Sequence, residues 1–82
     1  MNIVASDKNM PASKVLQRYG ERIKGLRKEK DLTQEELADK AHLHLTYVGA
    51  VERGRKNISL KNVEKLAKGL GVSLAEFFST FK

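Results

Sequence analysis

The sequence predicts an all-α domain built from five helices. Apolar residues recur at steps of three and four along most of the chain, and no stretch alternates as a half-buried strand would. Capping residues, namely Thr33, Ser59 and Ser73, precede three of the apolar stretches. At 82 residues the chain is expected to form one domain. Residues 1–12 lack periodicity and contain the only proline, so we predict a flexible tail there and a folded domain over residues 13–82.

The first helix is predicted over residues 13–30, where regularly spaced apolar side chains form one amphipathic face. These side chains are Val15, Leu16, Tyr19, Ile23 and Leu26. Gly20 and Gly25 lie within this stretch, and each is expected to weaken the helix by about 1 kcal/mol relative to alanine. Packing against other helices must therefore supply much of its stability.

The second and third helices are short and lie close together in the sequence. Thr33 can cap the N–H of Glu36 while the Glu36 carboxylate accepts from the Thr33 N–H, which predicts a helix over residues 33–41. Its inward side chains are Leu37, Ala38 and Ala41. After a short turn, a third helix is predicted over residues 45–53, and Gly54 is expected to end it.

The fourth and fifth helices are predicted from the same kinds of signal. Ser59 is expected to cap the fourth helix, which ends at Gly71. The apolar side chains expected to face inward are Leu60, Val63, Leu66, Ala67 and Leu70. Ser73 and Glu76 are expected to form a second capping box, which begins the last helix over residues 73–81.

Charge is distributed in blocks along this chain, whose formal net charge is +6. Residues 14–30 carry seven Lys or Arg against two acidic residues, and residues 53–68 carry six against one. Residues 31–52, in between, hold five acidic residues and one lysine. Basic segments on both sides of a central element favour a polyanionic partner whose phosphates they would contact. Solvated helix faces would produce the same pattern.

Several classes of protein are disfavoured by what the sequence lacks. It contains no cysteine, which excludes a disulfide framework and a thiolate metal site. No apolar stretch approaches the roughly 20 residues of a membrane span and no signal-peptide pattern is present, so we expect a cytoplasmic protein without membrane contact. His42 and His44 lie two positions apart without a third ligand, so we expect no metal ion or other cofactor. No catalytic grouping is present, and we expect no enzymatic activity.

Two short helices joined by a tight turn are typical of the helix-turn-helix unit, whose second helix enters the major groove of DNA. The segment "TQEELADKAHLHLTYVGAVERGRKNISLKNVEKLAKGLGVSLAEFF" resembles the phage-repressor, Cro-like (Xre-type) helix-turn-helix family. Within that family it is especially similar to controller proteins of restriction–modification systems and to small stand-alone repressors. The resemblance covers about residues 19–81 and implies a lambda-repressor-like DNA-binding domain with its helix-turn-helix at the second and third helices.

The third helix would be the recognition helix, and a helical wheel divides it into two halves. The half expected to face the core contains Tyr47, Val48, Val51 and Glu52. The half expected to face the groove contains Leu45, Thr46, Gly49, Ala50 and Arg53. Because this outer half is small and nearly uncharged, we expect contacts with thymine methyl groups and few direct hydrogen bonds to bases.

The resemblance implies roles for individual residues on double-stranded DNA. The residues that it places against DNA are Gln34, His44, Leu45, Thr46, Tyr47, Ala50, Arg53, Arg55, Lys56 and Asn57. Gln34 would contact a phosphate, Leu45, Thr46 and Ala50 would contact bases, and residues 55–57 would contact the backbone. Tyr47 would pack inward and extend its hydroxyl to a phosphate. For Arg53, contact with DNA and stabilisation of its own helix terminus stay open.

Four further implications concern structure and assembly. Arg27 and Glu52 match positions that form an interior ion pair between the first helix and the recognition helix. His42 replaces a glycine of positive φ, and His44 replaces a capping residue, so the third helix is expected to begin weakly. The side chains implied to form a two-fold dimer interface are Leu74, Phe77, Phe78 and Phe81. The alternative for the phenylalanines is that they close the core of a single chain.

These predictions together indicate a sequence-specific transcriptional regulator that binds DNA as a homodimer. Its operator would be pseudo-palindromic, because two recognition helices related by two-fold symmetry would lie about 34–36 Å apart. The alternative is a protein-interaction module, such as an antitoxin-like protein, that has kept the helix-turn-helix shell for a protein partner.

Overall fold

The computed structural model describes residues 12–79, which form five α-helices and no strand. The helices are α1 (Ala12–Glu29), α2 (Gln34–Ala41), α3 (Leu45–Glu52), α4 (Leu60–Leu70) and α5 (Leu74–Phe78). The predicted all-α fold is therefore confirmed. Ala12, which the sequence placed in the tail, begins α1, and residues 1–11 lie outside the described part of the chain.

The predicted capping residues determine where three helices begin. Both halves of the Thr33 box are present, at 3.0 Å from the Glu36 N–H to the Thr33 hydroxyl and 2.8 Å from the Thr33 N–H to the Glu36 carboxylate. The Ser59 hydroxyl accepts from the N–H of Asn62 at 3.1 Å. At Ser73 the prediction was half wrong. The serine hydroxyl accepts from the N–H of Glu76 at 3.0 Å, but the reciprocal bond from the Ser73 N–H to the Glu76 carboxylate is absent within residues 12–79.

The core is formed by side chains from all five helices, with α2 packed on α4 and α1 packed on α3. Its fully buried large side chains are Phe77, Ile23, Leu37, Leu66, Val48 and Val51. Two residues predicted to face inward are instead exposed: Val15 at 50% and Leu60 at 70%. Val15 is the fourth residue of α1 and Leu60 is the first residue of α4. Both therefore lie in the first turn of their helix, away from its packed middle.

The connections on either side of α2 and α3 depend on unusual backbone conformations. His42 ends α2 with φ of 59° and ψ of 45°, which confirms the predicted positive φ at this position. His44 precedes α3 without a side-chain capping bond, so α3 does begin without this stabilisation. Gly54 follows α3 with φ of 75° and ends the helix as predicted. Among residues 12–79, no helix combines the length and apolar character that crossing a membrane would require.

Candidate nucleic-acid interface

The second and third helices form a helix-turn-helix, with α3 as the exposed second helix. Residues 42–44 join them, and the Leu43 N–H donates to the Ala38 carbonyl at 2.9 Å, which closes the turn tightly against α2. On the inner side of α3, Val48 and Val51 are 0% and 2% exposed. On the outer side, Leu45 and Thr46 are exposed. The division of α3 into an inner and an outer half therefore has the predicted orientation at these positions.

Two positions on the outer half of α3 are covered rather than free. Ala50 keeps only 8% of its surface exposed, because the chain turns back after α3 and the Arg55 N–H donates to the Ala50 carbonyl at 2.9 Å. Gly49 is buried as well, beneath the side chains of Gln34 and Arg53. The expectation that both positions lie open to a groove was wrong, and a base contact by Ala50 would be limited to the small part of its methyl group that stays exposed.

A buried polar network fixes the C-terminal end of α3 to α1 and α2. The carboxylate of Glu52 accepts from Arg27 twice, at 2.7 Å from Nε and 3.0 Å from Nη2. Arg27 also donates to the carbonyl of Leu32 at 2.8 Å. The structure thus contains the interior ion pair that the resemblance implied. The hydrogen bond with Glu52 raises the pKa of Arg27 above its ordinary value, so the guanidinium stays charged.

Two predicted phosphate-contacting side chains already bond within the domain. Gln34 Nε2 donates to Glu52 Oε1 at 2.9 Å, and this leaves the amide oxygen and one N–H of Gln34 for other partners. The Tyr47 hydroxyl accepts from Asn62 Nδ2 at 3.0 Å while its ring packs on the core, so its own proton stays available for donation. Neither bond could be predicted from local sequence patterns, because both connect separate helices.

The loop after α3 carries the exposed cationic groups next to the recognition helix. Arg53, Arg55, Lys56 and Asn57 are all exposed, and His44 is exposed at the opposite end of α3. The cationic side chains therefore lie at the C-terminal end of α3, and the polar side chain of His44 lies at its N-terminal end. The loop turns sharply at Gly54, where an added Cβ would lie 2.9 Å from the side chain of Gln17 in α1. This close approach holds the cationic loop against the first helix.

The aromatic residues near the end of the described chain belong mainly to the core. Phe77 is 0% exposed, stacks on Tyr19 at 6.4 Å between ring centroids and meets Phe78 edge-on at 5.0 Å. Phe77 has no exposed surface on this chain, so the structure does not favour the predicted place of this ring at a dimer interface. Tyr19, which comes from α1, covers the ring. Phe78 is half-buried, and Phe81 lies outside the described residues.

A different apolar surface, which the sequence did not indicate, lies between α4 and α5. Leu60 and Leu74 are 70% and 36% exposed and line an open groove of about 330 Å³ together with Lys61 and Glu64. Arg22 holds α5 in place beside it, donating to the carbonyls of Phe77 at 2.9 Å and Glu76 at 2.7 Å. Among the predicted dimer-interface residues that lie within residues 12–79, Leu74 alone lines this groove.

Within residues 12–79, no group of three or more His, Asp or Glu side chains is placed to hold a metal ion. A helix-turn-helix of α2 and α3, with Leu45 and Thr46 exposed at the start of α3 and cationic side chains after its end, is typical of DNA-binding transcriptional regulators. Residues 23–77 match the family HTH_3, described as Helix-turn-helix, and the chain belongs to that family.

Individual relatives and solved structures agree with this assignment. The chain is 49% identical over 63 residues to the control protein C.MunI of Mycoplasma sp, a match that covers 76% of this chain and 85% of that protein. It superposes with a TM-score of 0.76 and 45% identity on the restriction–modification controller protein C.AhdI of Aeromonas hydrophila, covering 79% of this chain and 98% of that one.

A third comparison involves a complex with DNA. The restriction–modification controller protein C.Esp1396I, solved as a tetramer with its natural 35 base-pair operator, gives a TM-score of 0.76 at 42% identity. The superposition covers 78% of this chain and 84% of that chain. The resemblance to controller proteins that the sequence suggested is therefore confirmed.

Proposed function

We propose that this protein is a sequence-specific transcriptional regulator that binds a pseudo-palindromic operator as a homodimer, with α3 in the major groove. The observation that carries the proposal is the exposed outer side of α3, at Leu45 and Thr46, followed directly by the cationic loop at Arg55 and Lys56. A helix of eight residues fits the major groove, and a basic loop at its end would meet the adjacent phosphates. The similar controller protein C.Esp1396I, solved in complex with its natural operator, supports the DNA-binding part of this proposal.

The groove between α4 and α5 supports the homodimer in this proposal. Leu60 and Leu74 supply an exposed apolar centre, and Lys61 and Glu64 supply opposite charges beside it. Under two-fold symmetry the same patch meets itself, so the Lys61 ammonium of one chain can approach the Glu64 carboxylate of the other. We therefore propose a dimer surface centred on Leu60 and Leu74.

A first test is the selection of bound sequences from a random pool of duplexes by the full chain. The proposal expects an enriched site with two half-sites in inverted orientation, with centres about one helical turn apart or a multiple of it. Absence of any enriched sequence at low salt, together with copurification of a different protein, would support the partner-binding alternative instead.

The loop after α3 should contribute affinity without choosing the sequence. We expect Arg55→Ala to weaken binding to every duplex and to reduce the magnitude of the log–log salt slope by about 2 per dimer, since each phosphate contact contributes about 0.9. Lys68→Ala is the matched control, because Lys68 is exposed but lies about 14 Å of helix rise beyond Ser59, the capping residue of α4. Fluorescence anisotropy at several salt concentrations measures the affinity and the salt slope of each variant. An unchanged slope in Arg55→Ala would contradict a phosphate contact.

The dimer surface is tested by introducing a charge at its centre. We expect Leu60→Glu to weaken dimerisation by about 100-fold or more, because each chain would have to bury a carboxylate that has no partner. Val15→Glu is the control, since Val15 is an exposed apolar residue of α1 that does not line the groove. Size-exclusion chromatography coupled to light scattering measures whether the protein in solution has the mass of one chain or of two chains. A variant Leu60→Glu that stays dimeric would exclude this surface.

A further inference from the structure

Gly49 lies in the middle of the outer side of α3, and it is buried although this side of a recognition helix would be expected to face a groove. A Cβ built on this residue would lie 3.2 Å from Nη1 of Arg53 and 3.6 Å from Oε1 of Gln34. These are the nearest atoms that such a Cβ would meet. The side chains of Arg53 and Gln34 therefore cover the surface of α3 at the position where its own residue is glycine.

The placement of both side chains follows from helix geometry and from the buried network. Arg53 stands four residues after Gly49, and helical side chains lean towards the N-terminus, so its guanidinium lies back over Gly49. Gln34 is fixed by its bond from Nε2 to Glu52 Oε1 at 2.9 Å. Because a carboxylate can only accept, the nitrogen of Gln34 faces Glu52 and its oxygen faces Gly49.

Among residues 12–79, the guanidinium of Arg53 forms no hydrogen bond or ion pair, and the side chain is exposed. It therefore offers its donors to a ligand from the centre of the reading surface, between the exposed Leu45 and Thr46 at one end and the loop at the other. In a helix-turn-helix the N-terminal residues of the recognition helix contact base edges, and the guanidinium of Arg53 reaches back over Gly49 towards those residues. A planar guanidinium in that position matches the two acceptors of guanine, O6 and N7.

We propose that Arg53 reads a guanine in each half-site through the major groove, lying across Gly49 with the Gln34 carboxamide at its side. The inference rests on the proposed DNA-binding function and specifies the base that the site takes. It also assigns Arg53 a role that the sequence left open. The sequence specificity of α3 then comes from the hydrogen-bonding side chain of Arg53 at the end of the helix. Gly49 leaves room for this side chain because it has no side chain of its own.

The test compares sequence selection by the full-length wild type and by Arg53→Ala, with Arg55→Ala as the control. The wild type should select a guanine at one position of each half-site, and Arg53→Ala should lose about 5- to 150-fold of the preference at that position alone. Arg55→Ala should select the wild-type sequence with lower affinity. Replacing the selected guanine by 7-deazaguanine, which lacks the N7 acceptor, should weaken binding by the wild type and leave Arg53→Ala unchanged.

Retention of the guanine preference by Arg53→Ala, or equal effects of 7-deazaguanine on both proteins, would overturn the inference while leaving the proposed function intact. If the wild type selected no sequence at all, the proposed function would fail first, and the role of Arg53 with it. Because the side chain of Arg53 is exposed and forms no hydrogen bond or ion pair within the described chain, the alanine variant should unfold at the same temperature as the wild type.

Discussion

Replacement of Glu52 by alanine should cost this domain about 3–5 kcal/mol of unfolding free energy, the usual penalty for leaving one partner of a buried ion pair alone. The side chains of Arg27 and Glu52 are 11% and 2% exposed, so the guanidinium of Arg27 would stay largely desolvated without its carboxylate. The same change removes the acceptor of Gln34 Nε2. Because a small domain has a total stability of only about 5–15 kcal/mol, the variant would be close to unfolding.

Urea denaturation of the set Arg27→Ala, Glu52→Ala and the double variant measures the interaction directly. We expect the double variant to lose clearly less unfolding free energy than the sum of the two single losses. Each single variant leaves one buried charge without its partner, whereas the double variant leaves no unpaired charge. Glu21→Ala is the control, since Glu21 is an exposed glutamate of α1 and should change stability by less than about 0.5 kcal/mol. Additive losses would show that the pair contributes through packing alone.

How much of this domain could be predicted depends on how far apart the interacting residues lie. The Thr33–Glu36 box and the caps at Ser59 and Ser73 could be predicted because each acts within three residues of the same chain segment. The Arg27–Glu52 pair spans 25 positions and came only from the family resemblance. Long-range placement is set by packing, which local patterns do not encode.

The aromatic residues and the recognition helix show the same limit at the candidate site. Three phenylalanines within five residues indicated surplus apolar surface, but composition could not show that Tyr19 of α1 covers Phe77. The helical wheel gave the correct inner half of α3. It could not show that Gln34 of α2 lies over Gly49, because a wheel contains no side chains from another helix. The parts of the site that sequence reasoning missed are therefore those built between helices.

The two glycines of α1 also show that contacts between helices cannot be predicted from local sequence, because the sequence predicts the same loss of stability for both. A Cβ at Gly20 would lie 2.5 Å and 2.6 Å from the carbonyl oxygens of Val51 and Glu52, where α1 crosses the end of α3. A Cβ at Gly25 would meet no atom within 4 Å. The packing of α1 on α3 requires glycine at position 20, whereas Gly25 is exposed and only lowers the helix propensity of α1.

We therefore expect Gly20→Ala and Gly25→Ala to change stability in opposite directions. Gly25→Ala should gain about 0.5–1 kcal/mol from helix propensity. Gly20→Ala should lose at least about 2 kcal/mol, because its methyl group meets backbone atoms that can move away only if α1 and α3 separate. Thermal unfolding of both variants beside the wild type measures the difference. DNA binding by Gly20→Ala should weaken as well, since the displaced helix is α3. Equal stabilisation of both variants would mean that α1 and α3 do not approach so closely.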